Sequence, residues 1–187
     1  MARIIVFNSI SLDGYFSDAN SDMSFAHNPI PDAEWDAYVS GNASGEGTLL
    51  FGRITYQIME SFWPTPAAAD SMPVVAEGMN KLQKVVFSRT LDKVSWVNTR
   101  LVKTDLVGEI QRLKKGLRDM VILGSGSLVS QLTQHGLIDE YQFIVIPVVL
   151  GKGRTMFEGI QGNVPMKLTR SRSFKNGNVL LYYEPVS

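Results

Sequence analysis

Three short stretches place glycine, arginine and hydroxyl residues directly after apolar runs. They are Gly52-Arg53-Ile54-Thr55 after "TLLF", Ser88-Arg89-Thr90 after "KVVF", and Gly124-Ser125-Gly126-Ser127 after "DMVIL". That composition suits an anion. Glycine lets backbone approach a ligand, a guanidinium presents a planar fork of donors, and hydroxyls donate to phosphate oxygens. Each stretch alone is also an ordinary strand-to-helix turn. "GSGS" does not complete the dinucleotide fingerprint, because Val129 stands where the third glycine belongs. "LGKGRT" is not a P-loop, with Ile146 in place of the leading glycine and Gly153 in place of the hydroxyl residue. Taken together, three such turns on one sheet edge match the three phosphates of a phosphorylated dinucleotide. An arginine with Thr55 then serves the diphosphate and adenine side, Ser88 and Arg89 a 2′-phosphate, and the "GSGS" turn the remaining diphosphate oxygens. NADPH is favoured over NADH on that account.

Other groups could meet a substrate. Asp13, in "SLDGYF", follows the first apolar run and either orients substrate and relays a proton or closes an Asx-turn at Gly14. Phe62 and Trp63 offer an apolar wall for a flat heteroaromatic ring, or a core or dimer contact. His27 and His135 are far apart and have no ligand spacing, so no metal is expected; His135 suits the C-terminal dipole of a helix. The chain has no cysteine, which excludes disulfides, thiolate metal sites and cysteine nucleophiles. Redox chemistry would need a borrowed cofactor. No Gly-x-Ser-x-Gly elbow offers a serine nucleophile.

For three turns to share an edge, the strands before them must run parallel, and the pattern supports this. Apolar runs at residues 3–9, 48–51, 84–88 and 119–123 alternate with helical segments. The helical segments are "PDAEWDAYVSG", the stretch through Tyr56 and Met59, "MPVVAEGMNKL", "TDLVGEIQRLKKG" with Thr104 as N-cap, and "LVSQLTQHG" closed by Gly136. Residues 63–73, "WPTPAAADSMP", read as a surface loop and a candidate lid. "EYQFIVIPVVLG" reads as a long buried strand interrupted at Pro147, and Asn176-Gly177 marks a C-terminal hairpin. The expected fold class is α/β, with a mostly parallel sheet of about eight strands, helices on both faces and an antiparallel C-terminal hairpin.

At 187 residues one domain spanning 1–187 is the default. Lys and Arg (18) balance Asp and Glu (18), so the chain lacks the basic excess of a nucleic-acid or anionic-membrane binder. The first apolar run is too short for a signal segment or membrane span, and cytoplasmic residence is the default expectation.

"LLFGRITYQIM", "KVVFSRTL", "MVILGSGSLVSQL" and "DEYQFIVIPVVLGKGRTMF" follow in an order and spacing that resembles the dihydrofolate reductase-like family. The resemblance is closest to the C-terminal reductase domain of riboflavin biosynthesis proteins and its stand-alone relatives. It runs from "SISLDGYF" to the final hairpin, with "SLDGYF" and "PVVLGKG" as the more specific parts. It implies a three-layer, homodimer-prone, NADPH-dependent reductase of a small pterin- or pyrimidine-like substrate. Arg53 and Thr55 would then lie on the adenosine phosphate side and Gly124, Ser125, Gly126 and Ser127 at the pyrophosphate. In dihydrofolate reductases a carboxylate on the helix before the "GR" strand meets the pterin, and counting back from Gly52 implies Asp36, with Asp32 and Glu34 as neighbours. The missing tryptophan before that helix puts folate itself in doubt. The pyrimidine reductase step of riboflavin synthesis, and a non-catalytic nucleotide-binding dimer, are the alternatives.

Overall fold

Successive residues of β1 (Ile4–Ser11) are claimed by different cores. Ile4 and Val6 enter one apolar cluster, while Phe7 packs against another on the opposite side. β3 (Thr48–Gly52) behaves likewise, with Leu50 turned one way and Leu49 and Phe51 the other. Strands buried on both faces must be apolar at every position, which explains their continuous apolar runs. The computed structural model describes residues 1–43 and 46–186.

After β1 come β2 (Tyr15–Ser17) and α1 (Ala33–Ala43); after β3 come α2 (Arg53–Phe62), α3 (Pro66–Ser71) and α4 (Pro73–Lys81). The chain continues through β4 (Gln83–Phe87), β5 (Thr99–Val102), α5 (Leu106–Lys114), β6 (Met120–Leu123) and α6 (Gly126–Gln134). It ends with β7 (Glu140–Ile146), β8 (Arg154–Thr155), β9 (Met166–Ser173) and β10 (Val179–Pro185). The eight-stranded sheet has the order β5-β4-β3-β6-β1-β7-β10-β9. Every pairing from β5 to β7 is parallel, and β10 and β9 are antiparallel. The carboxyl ends of β1, β3, β4, β5, β6 and β7 therefore share one edge. The β9–β10 turn joins them there, because Val179 pairs with Val145 near the end of β7.

The helices divide between the faces. Ile110 of α5 and Leu128, Val129 and Leu132 of α6 share a core with Ile4, Val6 and Ile122. On the other face, Tyr56 of α2 and Met79 of α4 meet Leu49, Phe51 and Val86, while Trp35 and Tyr38 of α1 meet Ile144 and Leu180. The expected fold class holds in full.

Three local expectations change. Residues 63–73 contain α3 and the start of α4 rather than an open loop: Thr65 caps α3 by accepting from the Ala68 N–H at 3.3 Å, and Pro66 occupies the first helical position. A proline there is compatible with a helix, since its missing N–H would have had no partner. The N-cap of α5 is Asp105 rather than Thr104. Asp105 adopts φ 50° and accepts from the Gly108 N–H at 3.0 Å, and any Cβ at Gly108 would overlap its carboxylate. β7 stops at Ile146 and does not resume beyond Pro147. Instead, β2 and β8 form a separate two-stranded sheet.

Lys84 is a charged residue in the middle of a core. It is 1 % exposed, and its ammonium donates to the carbonyls of Asn80 (3.2 Å) and Leu82 (2.6 Å) while lying 4.5 Å from the Trp96 ring centroid. Burial pulls its pKa down to about 8. The ammonium satisfies carbonyls at the C-terminal end of α4 that the helix itself cannot. Lys84→Met should therefore lower the unfolding free energy by about 1–3 kcal/mol in urea titrations, as the Leu82 carbonyl loses its donor and the Asn80 carbonyl keeps only Asn98. Glu109 is the acidic counterpart on α5. Arg112 first, then Arg100, hold its carboxyl down to about 2, although partial burial opposes this. A carboxyl with a depressed folded pKa stabilises above its unfolded value and loses that contribution as pH falls through the folded one. The stability gap between wild type and Glu109→Gln should accordingly close between pH 4.5 and about 2 in acid titrations.

Candidate functional site

Where β6 ends, the chain takes two consecutive left-handed residues, Gly124 at φ 56° and Ser125 at φ 58°. The second is unfavourable for a residue with a side chain and needs support from its surroundings. Asn8, 3 % exposed in the middle of β1, supplies part of it. Its Oδ1 accepts from the Gly124 N–H at 2.5 Å, and its Nδ2 donates to the Gly124 carbonyl at 3.2 Å. Thr55 supplies the rest by accepting from the Ser125 N–H through Oγ1 at 2.9 Å. The Ser125 hydroxyl in turn accepts from the Gly52 N–H at 2.9 Å and donates to the Leu123 carbonyl at 3.0 Å. A Cβ at Gly124 would lie 2.8 Å from Thr55 Oγ1, so only glycine fits under that brace. The turns after β3 and β6 are thus one hydrogen-bonded unit.

Two cavities open around this unit. The larger, about 490 Å³, lies beyond the ends of β4 and β5 and is lined by Ser88, Arg89, Lys103, Asp105, Gln131 and His135. The smaller, about 230 Å³, is lined by Phe16, Ser17, Arg53, Thr55, Gly126 and Arg154. Gly52, Phe87 and Ser127 line both. At the junction α2 begins at Gly52, which has no side chain to cap it, and α6 begins at Ser125, whose hydroxyl makes no capping bond to its helix. Two helix N-termini consequently present N–H groups and positive dipole ends to the same space.

The three stretches singled out by composition do meet at one edge, with differentiated roles. Gly52, Arg53, Thr55, Ser88, Arg89, Ser125, Gly126 and Ser127 line one or both cavities. The hydroxyl proton of Ser125, expected to face a phosphate, is committed to Leu123 instead, which corrects that assignment. Gly124 acts from behind through its backbone. Arg53 is exposed and donates to Gln57 at 3.2 Å. Ser88 accepts from the N–H groups of Thr90 (3.3 Å) and Leu91 (3.0 Å), which fixes the bend carrying Arg89 and leaves Thr90 exposed.

The carboxylates are placed differently from the expectation. Asp13 accepts from the Ser11 hydroxyl (2.7 Å) and from the N–H groups of Leu150 (3.1 Å) and Gly151 (2.8 Å). The Ser11 hydroxyl is the main reason its carboxyl lies below the ordinary range; modest burial opposes it and the two N–H groups add to it. Asp36 is exposed on α1, whose packed residues are Trp35 and Tyr38, so the register implied by the resemblance turns it to solvent. Asp32 caps α1 through Glu34 and Trp35 and also accepts from the Asn176 N–H at 3.2 Å. Burial disfavours its charge, but these donors outweigh that and lower its pKa. Glu34 is paired with Arg172.

Phe62 is 38 % exposed, with its ring edge-on to Trp63 at 5.1 Å. Trp63 lines a third cavity of about 290 Å³ on the opposite face of the sheet, with Phe7, Val39 and Met59. Asn8, Phe16, Lys103 and Arg154 were not singled out by sequence. Asn8 interrupts an apolar strand, and a polar residue in a doubly buried strand must find partners; that was the available signal.

The family model for the RibD C-terminal domain matches residues 2–180. The chain belongs to this family. It is 25 % identical over 182 residues to the uncharacterized protein YyaP of Bacillus subtilis (strain 168), covering 97 % of this chain and 94 % of that one. A putative riboflavin biosynthesis protein from Shewanella sp. PV-4 superposes with a TM-score of 0.76 at 23 % identity, covering all of both chains. A dihydrofolate reductase from Enterococcus faecalis, solved with NADP(H), gives 0.65 at 15 % identity, over 99 % of this chain and 97 % of that one. RibD C-terminal domains are reductase-like, and the dihydrofolate reductase-like fold is evident here. Among the described residues, no helix is long and apolar enough to cross a membrane, and no three His, Asp or Glu side chains gather around a metal position.

Asn8 is the testable centre of this arrangement. Asn8→Leu keeps the branched shape and strands the buried Gly124 N–H and carbonyl. Unfolding in urea should show a loss of about 1–3 kcal/mol.

Proposed function

We propose that this chain is an NADPH-dependent reductase acting on a small heterocyclic carbonyl or C=N compound of pterin or pyrimidine type. The observation that carries the reading is the two-lobed cleft, joined at Gly52 and Ser127 where two helices begin. A dinucleotide has the matching form, two nucleosides joined by a diphosphate. The residues fit such a group: Arg53, Gly126 and Ser127, in the first turns of α2 and α6, provide backbone N–H groups at the junction, Arg53 adds a guanidinium, and Gly52, whose own N–H is held by Ser125, leaves room for close approach. Arg89 and Lys103, two cations lining the larger lobe, suit a 2′-phosphate. Gln131 and His135 line the same lobe and can meet a purine edge.

NADPH, when bound, supplies the hydride. The chain holds and orients, and the brace at Gly124 fixes the two helix starts before any ligand arrives, which limits the ordering cost of binding. Asp13 and Asp36 were the candidate proton donors. The first is ionised and spends both oxygens on a loop, and the second faces solvent. The proton for the reduced substrate therefore comes from water in this reading.

A second reading follows from the same carboxylates: a nucleotide-binding protein that keeps the fold without turnover. Cofactor binding with no NADPH oxidation across pterins, pyrimidines, flavin precursors and quinones would favour it. Rescue of a riboflavin-requiring strain would instead specify the pyrimidine reductase step of riboflavin synthesis.

The cofactor assignment is tested by titrating both nicotinamide dinucleotides. Arg89→Ala should weaken NADPH about 10- to 100-fold, the range for loss of a charge-assisted contact, and leave NADH nearly unchanged. Equal loss for both would remove Arg89 from the 2′-phosphate.

A further inference from the structure

The smaller cavity contains two arginines, Arg53 and Arg154, and no aspartate or glutamate among its lining residues. Four other arginines meet acids: Arg3 meets Glu140 and Glu184, Arg100 and Arg112 meet Glu109, and Arg172 meets Glu34, while Arg89, Arg118 and Arg170 have no acid partner among the described residues but are exposed. Arg154 differs. It is half-buried, and among the described residues it makes no ion pair or hydrogen bond through its guanidinium. Two guanidinium groups that line one cavity with no carboxylate among the lining residues suit an anionic ligand.

Arg154 is carried by a flap. β8 pairs with β2, Ser17 opposite Arg154, and the pair lies over the start of α6. A Cβ on Gly126 would be 2.8 Å from Phe16 Cε1 and 3.5 Å from the Thr155 carbonyl. Gly153 permits the two strands to close, since any Cβ there would overlap the Ser17 carbonyl oxygen. The flap is fastened on two sides. Met156, 3 % exposed, lies in the core with its sulfur 3.7 Å from Asn8 Nδ2. Asp13 holds the Leu150 and Gly151 N–H groups, in the loop that leads into β8.

We infer that Arg154 is a direct contact for the diphosphate of the dinucleotide, opposite Arg53 and the two helix N-termini, and that Asp13 is a positioning residue that holds the flap. The inference rests on the cofactor reading above and extends it to residues in "SLDG" and "LGKGR". A diphosphate is preferred to a substrate phosphate because Gly52 and Ser127 join this cavity to the lobe containing Arg89. A group bridging the lobes must pass between them.

The test compares dissociation constants for NADPH, NADH and adenosine 2′,5′-bisphosphate, which lacks the nicotinamide-side phosphate. Arg154→Ala should weaken NADPH and NADH alike, about 10- to 100-fold, and change the bisphosphate by less than about threefold. Arg154→Lys should restore part of the loss, since it keeps the charge but not the fork. In the Arg154→Ala background, Asp13→Ala should add little, because both changes remove one contact; full additivity would end the positioning role of Asp13. Unchanged NADPH affinity with a raised KM for substrate would assign Arg154 to a substrate phosphate and overturn the inference. Equal loss of the bisphosphate, with a lowered Tm, would overturn it as collapse of the flap. If wild type binds neither dinucleotide, the functional reading itself fails. Inorganic pyrophosphate then decides: binding lost in Arg154→Ala retains the anion contact, and no binding by wild type removes it.

Discussion

The left-handed turn at Gly124 and Ser125 is held by side chains from two other strand-and-turn units, and the carboxyl edge of the sheet depends on it. Asn8 reaches it from β1 and Thr55 from α2, and Ser125 reaches back to Gly52. Without those bonds two consecutive left-handed residues would be unfavourable, and α6 could not start where it does. With them, α2 and α6 begin side by side. The edge therefore presents backbone donors that are preset by buried polar groups, with arginines around them.

Much of this edge was legible in the sequence because parallel strands buried on two faces leave continuous apolar runs, and the residues after each run are the edge. The parallel part of the fold and the convergence of three polar turns follow from that single regularity, and the C-terminal hairpin was legible from the Asn176-Gly177 pair. Other features depended on long-range partners. Pro66 read as part of a loop, but it occupies the first position of a helix. Thr104 and Asp105 are both acceptable caps by type, and the choice fell to Asp105 because Gly108 leaves room for its carboxylate. Ser125 looked like a phosphate ligand and is a brace, a distinction set by Leu123 and Gly52 rather than by spacing.

Asp13 shows how a functional reading and a structural one can converge. As an isolated carboxylate after the first strand it read equally as a group that orients substrate or relays a proton and as the closer of an Asx-turn at Gly14. In the fold its two oxygens bind a loop more than a hundred residues away in sequence, and that loop carries Arg154 towards the cavity. Trp63, expected as a wall for a flat ring, lines a separate pocket under α1, α2 and α4.

Lys84 has a consequence for how the fold opens. Its amine is shielded by Trp96 and by the end of α4, so a lysine-acylating reagent can reach it only when α4 lifts from β4. The exposed lysines, Lys81 and Lys115 among them, would be labelled at once. Slow labelling at this one position would therefore act as a clock for the partial unfolding of the α4–β4 layer, separate from the global transition.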